Sequence, residues 1–583
     1  MVLDSINYPK DLNELDIKEL ETLSEEIREL ILKRVSTVGG HLGPNLGITD
    51  VCVALHRVME APKDKFVFDI SHQCYPHKIL TGRKEAFINE DKYQSVTGFT
   101  DINESEYDIF TVGHTSTSLS LASGLVKGRD LNEKNDRIIA IIGDGSLSGG
   151  EAFEGLNTLS TMSSQCMIIV NDNDQSIAEN HGGIYKNLKE LRNTNGECAN
   201  NIFKLMGFDY CYVEDGHNIS NLISVFDKFK DHPQPLVIHI HTIKGKGYKF
   251  AEVNRERFHY TGPFSVESSE PLNTATITLA DKSCDLLQKM MAKDQRVVCL
   301  TAGTPLVLGF SKDKRDRVKD QFVDVGIAEA QAVAMASGIA KNNGKPVFGV
   351  TSSFIQRAYD QLSQDLCLNN NPVTIVISGS SIFTMRDKTH LGIFDIALLK
   401  SIPNLMLLAP FSNQQYLSML ENSINNTNCP TVIRMPSGPY IADDNTDFDL
   451  NNISKYHVIN KGKDVAIIVV GNLYKLAEDI NAKLNDNGIN ATLISPIILS
   501  KLDIDTLESL KKDHELIITL EDGVISGGFG ESIASYFGDA LIRVKNLGIS
   551  KEFHDRFDPM KLLDDNNMSE EKIVKYVIEN IKA

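Results

Sequence analysis

No run of apolar residues in this 583-residue chain approaches the about 18 needed to cross a membrane as a helix. No two of its nine cysteines (52, 74, 166, 198, 211, 284, 299, 367 and 429) form a C-x-x-C pair, and their number is odd. That excludes a cysteine-built zinc site and predicts reduced thiols in a cytoplasmic protein. Positive charge is in deficit, with 59 Lys and Arg against 78 Asp and Glu and a formal net charge of −19. Binding a phosphate backbone needs clustered Lys and Arg, so no nucleic-acid partner is expected. An anionic substrate would have to be met by local positive charge set against that field. Low-complexity sequence is missing too. The opening stretch MVLDSINYPKDLNELD is polar and acidic, unlike a secretory signal.

What is present is alternation. An amphipathic helix is expected in ELETLSEEIRELILKRV, from apolar residues at helical spacing. Short β-branched strands follow in KFVFDI, YDIFTVG, RIIAIIG, CMIIVND and PLVIHIH, separated by helical patterns. A second series runs through RVVCLTAG, QFVDVG, PVFGVTS, PVTIVIS, NLMLLAP and TVIRMP, and a third through DVAIIVVGN, HELIITLED and ALIRVKN. The stretches 260–278 and 437–463 read as connections. At this length a single core does not suffice. The expectation is therefore an α/β chain of three parallel-sheet domains, 1–272, 273–440 and 441–583.

Eleven of the fifteen histidines precede residue 260, and several sit beside glycine or at strand ends: His41, His72, His77 and His114. In open parallel sheets ligands bind outside the carboxyl ends of the strands, where these histidines fall. Asp144 ends the strand RIIAIIG between two glycines, and Asn173 follows the strand CMIIV in NDNDQSIAEN. The plain reading of G-D-G is a turn. Paired with N-D-N on a second strand end, a carboxylate and an amide oxygen are hard ligands suited to Mg²⁺, which keeps phosphates among its ligands. The flanking glycines let backbone approach such a diphosphate.

GDG followed about thirty residues later by NDN resembles the thiamine-diphosphate signature of the transketolase superfamily. GGHLGPNLG, SHQCYPHKILTGR, ESEYDIFTVGHTSTSLS, KGKGYKFAE, RFHY, DVGIAEA, SSFIQRAYDQL and KTHLGIFD narrow the resemblance to the 1-deoxy-D-xylulose-5-phosphate synthase family, over nearly the whole chain. The resemblance implies thiamine diphosphate and Mg²⁺ as cofactors, pyruvate and an aldehyde as substrates, and a homodimer. By position, Asp144, Asn173 and the main-chain carbonyl of Gln175 would hold Mg²⁺. His72, Gly113, His114, Thr115, Gly145, Ser146, Asn173 and Tyr248 would line the cofactor. Glu329 matches the glutamate on the aminopyrimidine ring and Phe354 the aromatic stacked on it. His41 and His259 match acid–base histidines, and His390 and Arg357 complete the implied catalytic set. The chain is short for the family in 181–201.

The pattern also breaks. Where the family reads D-R-A-G-x-V-G-x-D-G-x-T-H, this chain has SGSSIFTMRDKTH, so an arginine becomes Gly379 and the second acid Arg386. Y-P-R-G becomes MPSG, placing Ser437 at another arginine position. A tyrosine becomes Thr351 and a histidine Gln331. By resemblance the arginines and tyrosine serve the acceptor's phosphate tail, and Arg386 and Lys388 are the charges available to replace them. Three readings follow: a synthase of this family using D-glyceraldehyde 3-phosphate, a related carboligase with a different, non-phosphorylated acceptor, or a degenerate non-enzymatic paralogue.

Overall fold

The computed structural model describes residues 1–273, 277–444 and 452–581. Two compact units emerge, one of Met1–Thr276 with Val325–Ala328, the other of Ile277–Asp324 with Glu329–Ala583.

The first unit is built on a five-stranded, wholly parallel sheet of β1 (Lys65–Phe68), β2 (Ile138–Gly143), β3 (Cys166–Asp172), β4 (Asp209–Val213) and β5 (Pro235–His241), in the order β1-β2-β3-β5-β4. Strand β2 shows why an unbroken apolar run is required. Ile138, Ala140 and Ile142 enter one core with Leu119, Val126 and Leu156, while Ile139 and Ile141 enter another with Ile48, Leu55 and Phe226. A strand covered on both faces cannot alternate polar and apolar residues. The expected early helix is Ile17–Val38, with the Asp16 carboxylate accepting from the Glu19 amide at 2.9 Å.

The second unit holds two sheets. One is parallel, ordered β10-β11-β9-β8-β6-β7, from β6 (Val297–Thr301), β7 (Phe322–Asp324), β8 (Lys345–Thr351), β9 (Thr374–Ser378), β10 (Met406–Leu408) and β11 (Thr431–Arg434). The other is ordered β12-β14-β13-β15-β16, from β12 (His457–Asn460), β13 (Asp464–Val469), β14 (Thr492–Ser495), β15 (His514–Val524) and β16 (Arg543–Ile549), with β12 antiparallel. Among the described residues no helix is long and apolar enough to cross a membrane. All nine cysteines are free thiols.

Two expectations fail. YDIFTVG is not a strand. Its Asp108 is buried and turned inward, accepting from Arg83 at 2.6 and 2.9 Å, from His77 at 2.9 Å and from the Asp101 amide at 2.8 Å, so the segment is fixed by side chains instead of a ladder. The stretch 437–463 is not all connection, because it contains β12; residues 445–451 of it lie outside the described residues, as do 274–276 of the stretch 260–278.

Candidate active site

In the first unit the carboxyl ends of neighbouring strands converge. The Asp69 carboxylate, just past β1, accepts the Ser116 and Ser118 amides at 2.8 and 3.1 Å and fixes the segment that carries Gly113, His114 and Thr115. Ser116 Oγ then donates to the Ser146 carbonyl at 2.8 Å, tying that segment to the turn Asp144–Ser148 after β2. Strands β2 and β3 pair with Gly143 opposite Asn171, so Asp144 and Asn173 leave the sheet side by side. Asp144 Oδ2 accepts the Gln175 amide at 3.1 Å and Asn180 Nδ2 at 2.7 Å. A side chain at Gly145 would bring its Cβ to 3.0 Å from Ser176. The sequence-derived set Asp144, Gly145, Ser146, Asn173 and Gln175 therefore forms one cradle.

That cradle fits a hard cation. Asp144 is 1% exposed, and burial together with the Asp172 charge raises its pKa. Asn173 Oδ1, Ser176 Oγ and Asn180 Oδ1 are buried with no hydrogen-bond partner. Buried acceptors left unmatched are costly, and a carboxylate with amide and carbonyl oxygens is a donor set for Mg²⁺.

Beside the cradle lies a histidine triangle. The ring of His41 is 5.1 Å from that of His72 and 5.6 Å from that of His259, and His72 and His259 are 5.1 Å apart. Backbone pairing produces it, since Gly40 and Thr261 exchange bonds at 2.9 and 3.0 Å, and Asn45 Nδ2 donates to the carbonyls of both His41 (2.8 Å) and His72 (2.7 Å). Lys244, fully buried, reaches the Ser176 carbonyl and lies 3.0 Å from His259 Nδ1. Lys244 Nζ and His259 Nδ1 thus share a hydrogen bond inside the protein. Burial, then Lys244, holds His259 well below the usual histidine pKa, and burial brings Lys244 down to about 7. Tyr248 is turned away into an aromatic core with Phe258 and Phe264, its hydroxyl donating to the Val266 carbonyl at 2.9 Å.

The second unit carries the other group. Glu329 begins the helix Glu329–Lys341 and is 4% exposed; burial raises its pKa, opposed by the charge of Arg357. Phe354, in the turn after β8, meets the His390 ring edge-on at 5.4 Å. Burial lowers His390 to about 4. Thr389 Oγ1 is 2.8 Å from His390 Nδ1 and donates to Asp387 Oδ1 at 2.5 Å. Asp387, next to Arg386, is thus the acid this loop brings to the Thr389–His390 pair. Gly379 takes φ +70°, and the Ser437 hydroxyl donates to the Ser380 carbonyl at 3.0 Å, so neither former arginine position presents a charge.

Sequence reasoning missed Lys244, Asp387 and Arg192, which pairs with Asp172 and Asp174. The first two lie in KGKGYKFAE and SGSSIFTMRDKTH, where a charge beside glycine or preceding the retained T-H pair was an available signal. Arg192 carried none.

The chain matches the family model for 1-deoxy-D-xylulose-5-phosphate synthase over residues 3–199 and 192–242, the transketolase pyrimidine-binding domain over 275–441 and the transketolase C-terminal domain over 454–573. It is 35% identical to the 1-deoxy-D-xylulose-5-phosphate synthase of Carboxydothermus hydrogenoformans, with 98% of each chain covered. It is 36% identical to that of Halothermothrix orenii, over 95% of this chain and 93% of the relative. Against that of Caldanaerobacter subterraneus subsp. tengcongensis, identity is 34% over 100% of this chain and 99% of the relative. On likeness of this extent, following the converged strand ends, the chain belongs to the 1-deoxy-D-xylulose-5-phosphate synthase family.

Proposed function

We propose that this thiamine-diphosphate-dependent transferase decarboxylates pyruvate and joins the two-carbon unit to an aldehyde, giving 1-deoxy-D-xylulose 5-phosphate when the aldehyde is D-glyceraldehyde 3-phosphate. The observation that carries the reading is the Asp144–Asn173 cradle with its unmatched buried acceptors. Asp144, Asn173 Oδ1 and the Gln175 carbonyl would hold Mg²⁺; His72, Gly113, His114, Thr115, Gly145 and Ser146 would surround the diphosphate. Bound thiamine diphosphate supplies a site where a carbanion is stabilised. Glu329, buried and inclined to keep its proton, is suited to exchange that proton with a ring nitrogen, and Phe354 offers a flat apolar face. His259, kept from charging by burial, stands beside His41, and the two are placed as proton-transfer groups. Tyr248 anchors the loop that bears Lys244. Arg357 keeps charge beside Glu329, and His390 borders Phe354. We read the chain as three domains, 1–272, 273–440 and 441–583, working in the cytoplasm as a homodimer. Release of CO₂ from pyruvate, dependent on thiamine diphosphate and Mg²⁺ and followed across an aldehyde panel, tests this; its absence with every aldehyde overturns it.

A second reading, a carboligase indifferent to the phosphate, is favoured by the acceptor loop, because Gly379 and Ser437 offer no cation. A charge-assisted hydrogen bond contributes roughly 1.5–3 kcal/mol. A loop without two such arginine–phosphate bonds forgoes about 3–6 kcal/mol, or roughly 10²–10⁴ in kcat/KM. We expect kcat/KM for glyceraldehyde 3-phosphate to exceed that for glyceraldehyde by less than about 10²-fold. A far larger ratio that collapses in Arg386→Ala would show that Arg386, with Lys388, rebuilds the grip.

The raised pKa of Asp144 also sets a pH dependence. Below that pKa the empty site holds a proton that the cation must displace. Metal binding should therefore strengthen as pH rises from about 6 towards about 8 and release protons, as calorimetry in buffers of different ionisation enthalpy would record. Binding that releases none would contradict the ligand assignment.

A further inference from the structure

The helix Gly183–Asn193 and the residues before it are pinned to the metal loops at three points. Asn180 Nδ2 donates to Asp144, the Tyr185 hydroxyl donates to the Gly145 carbonyl at 3.0 Å, and Arg192 lies at the end of the helix. Arg192 Nη1 donates to both oxygens of Asp172, at 2.7 and 2.5 Å, and Nη2 pairs with Asp174 at 2.7 Å. These acids flank Asn173 directly. Asp172 is fully buried and its charge is felt at Asp144. His239 Nε2 also faces Asp172 at 2.8 Å, while Nδ1 of that ring faces the Tyr210 hydroxyl at 2.8 Å. Asp172 is therefore held from two sides, by Arg192 and by His239.

Asp172 and Asp174 thus place two further negative charges on either side of Asn173, and that of Asp172 is felt at Asp144. Left uncompensated, that charge would hold a bare divalent cation more tightly. It would also repel the diphosphate that must share the ion. We propose that Arg192 is a positioning residue that occupies Asp172 and Asp174, reserving the cation for Asp144 and keeping the site open to an anionic diphosphate. The proposal rests on the reading of the cradle as a metal–diphosphate site.

The test is calorimetry on the full-length protein with two titrants, MgCl₂ alone and thiamine diphosphate at saturating Mg²⁺. In Arg192→Ala we expect Mg²⁺ alone to bind roughly tenfold more tightly and thiamine diphosphate roughly tenfold or more weakly, the size of effect a neighbouring unit charge exerts on a carboxylate. Arg192→Lys should restore both affinities towards wild type, and Arg192→Ala/Asp174→Asn should restore them in part. A contact that only braces the loop would weaken both together, as loss of outer-shell support ordinarily does. Parallel weakening, or no change in either, overturns the proposal. Should Arg192→Ala not fold, Asp174→Asn alone decides, since its half-exposed side chain tolerates the change. It should loosen Mg²⁺ alone and tighten thiamine diphosphate, and a shift of both in one direction overturns the proposal. Failure of the wild type to bind thiamine diphosphate with Mg²⁺ would instead overturn the reading of the cradle.

Discussion

Asp144→Ala is expected to leave a folded protein with no measurable Mg²⁺-dependent binding of thiamine diphosphate and no turnover. Asp144 is the one carboxylate in the proposed ligand set, the others being the amide oxygen of Asn173 and the carbonyl of Gln175. A diphosphate tied to protein through the cation loses its attachment when that ligand goes. The turn itself has other supports, namely the Ser116–Ser146 and Tyr185–Gly145 bonds. The carboxyl moreover sits where burial disfavours its charged form. Removing it relieves that cost in the empty protein, so the melting temperature without ligands should stay level or rise. Calorimetry gives the first result and thermal unfolding the second. Unchanged cofactor affinity would end the metal assignment.

Glu329→Gln is expected to keep the cofactor bound and to slow exchange of its C2 hydrogen by about 10²–10⁴-fold, the usual loss when a positioned proton-transfer group is removed. Glutamine matches the carboxyl in size and still offers hydrogen bonds in a site only 4% exposed, so packing at the start of the helix Glu329–Lys341 should persist. An amide cannot pass a proton to a ring nitrogen and take it back. Burial raises the Glu329 pKa, which favours its holding a proton that it can pass on and take back. Exchange within a few-fold of wild type, followed by acid quench and NMR, would show this glutamate to be misassigned.

Legibility from sequence followed the length of the buried run. Strands β2 and β3 were visible because both faces are covered and their runs stay apolar as far as Ile142 and Val170, just short of the turns that follow. Strands β4 and β12 escaped notice because they lie at sheet edges and are half-exposed, so DYCYV and HVIN carry no strong period, and the buried β14 escaped because TLIS is too short a run. YDIFTVG misled in the other direction, since its pattern suits a strand and only the tertiary ties of Asp108 forbid one. At the site, Asp144 and Asn173 were legible from two motifs on consecutive strands. Lys244 owes its meaning to burial against His259, and Arg192 to a helix folding back over a loop 20 residues earlier. No local pattern encodes either contact.

The left-handed backbone at Gly379 bears on how this loop can change over generations. An arginine placed there would adopt φ +70° and bring its Cβ to 3.3 Å from Thr351. A side chain in that conformation costs roughly 1–2 kcal/mol. Ser437, meanwhile, would still be bonded to Ser380. An arginine at position 379 alone therefore weakens the fold before a second cation exists to grip a phosphate, and a two-arginine phosphate grip in this loop requires reshaping its backbone together with both side chains.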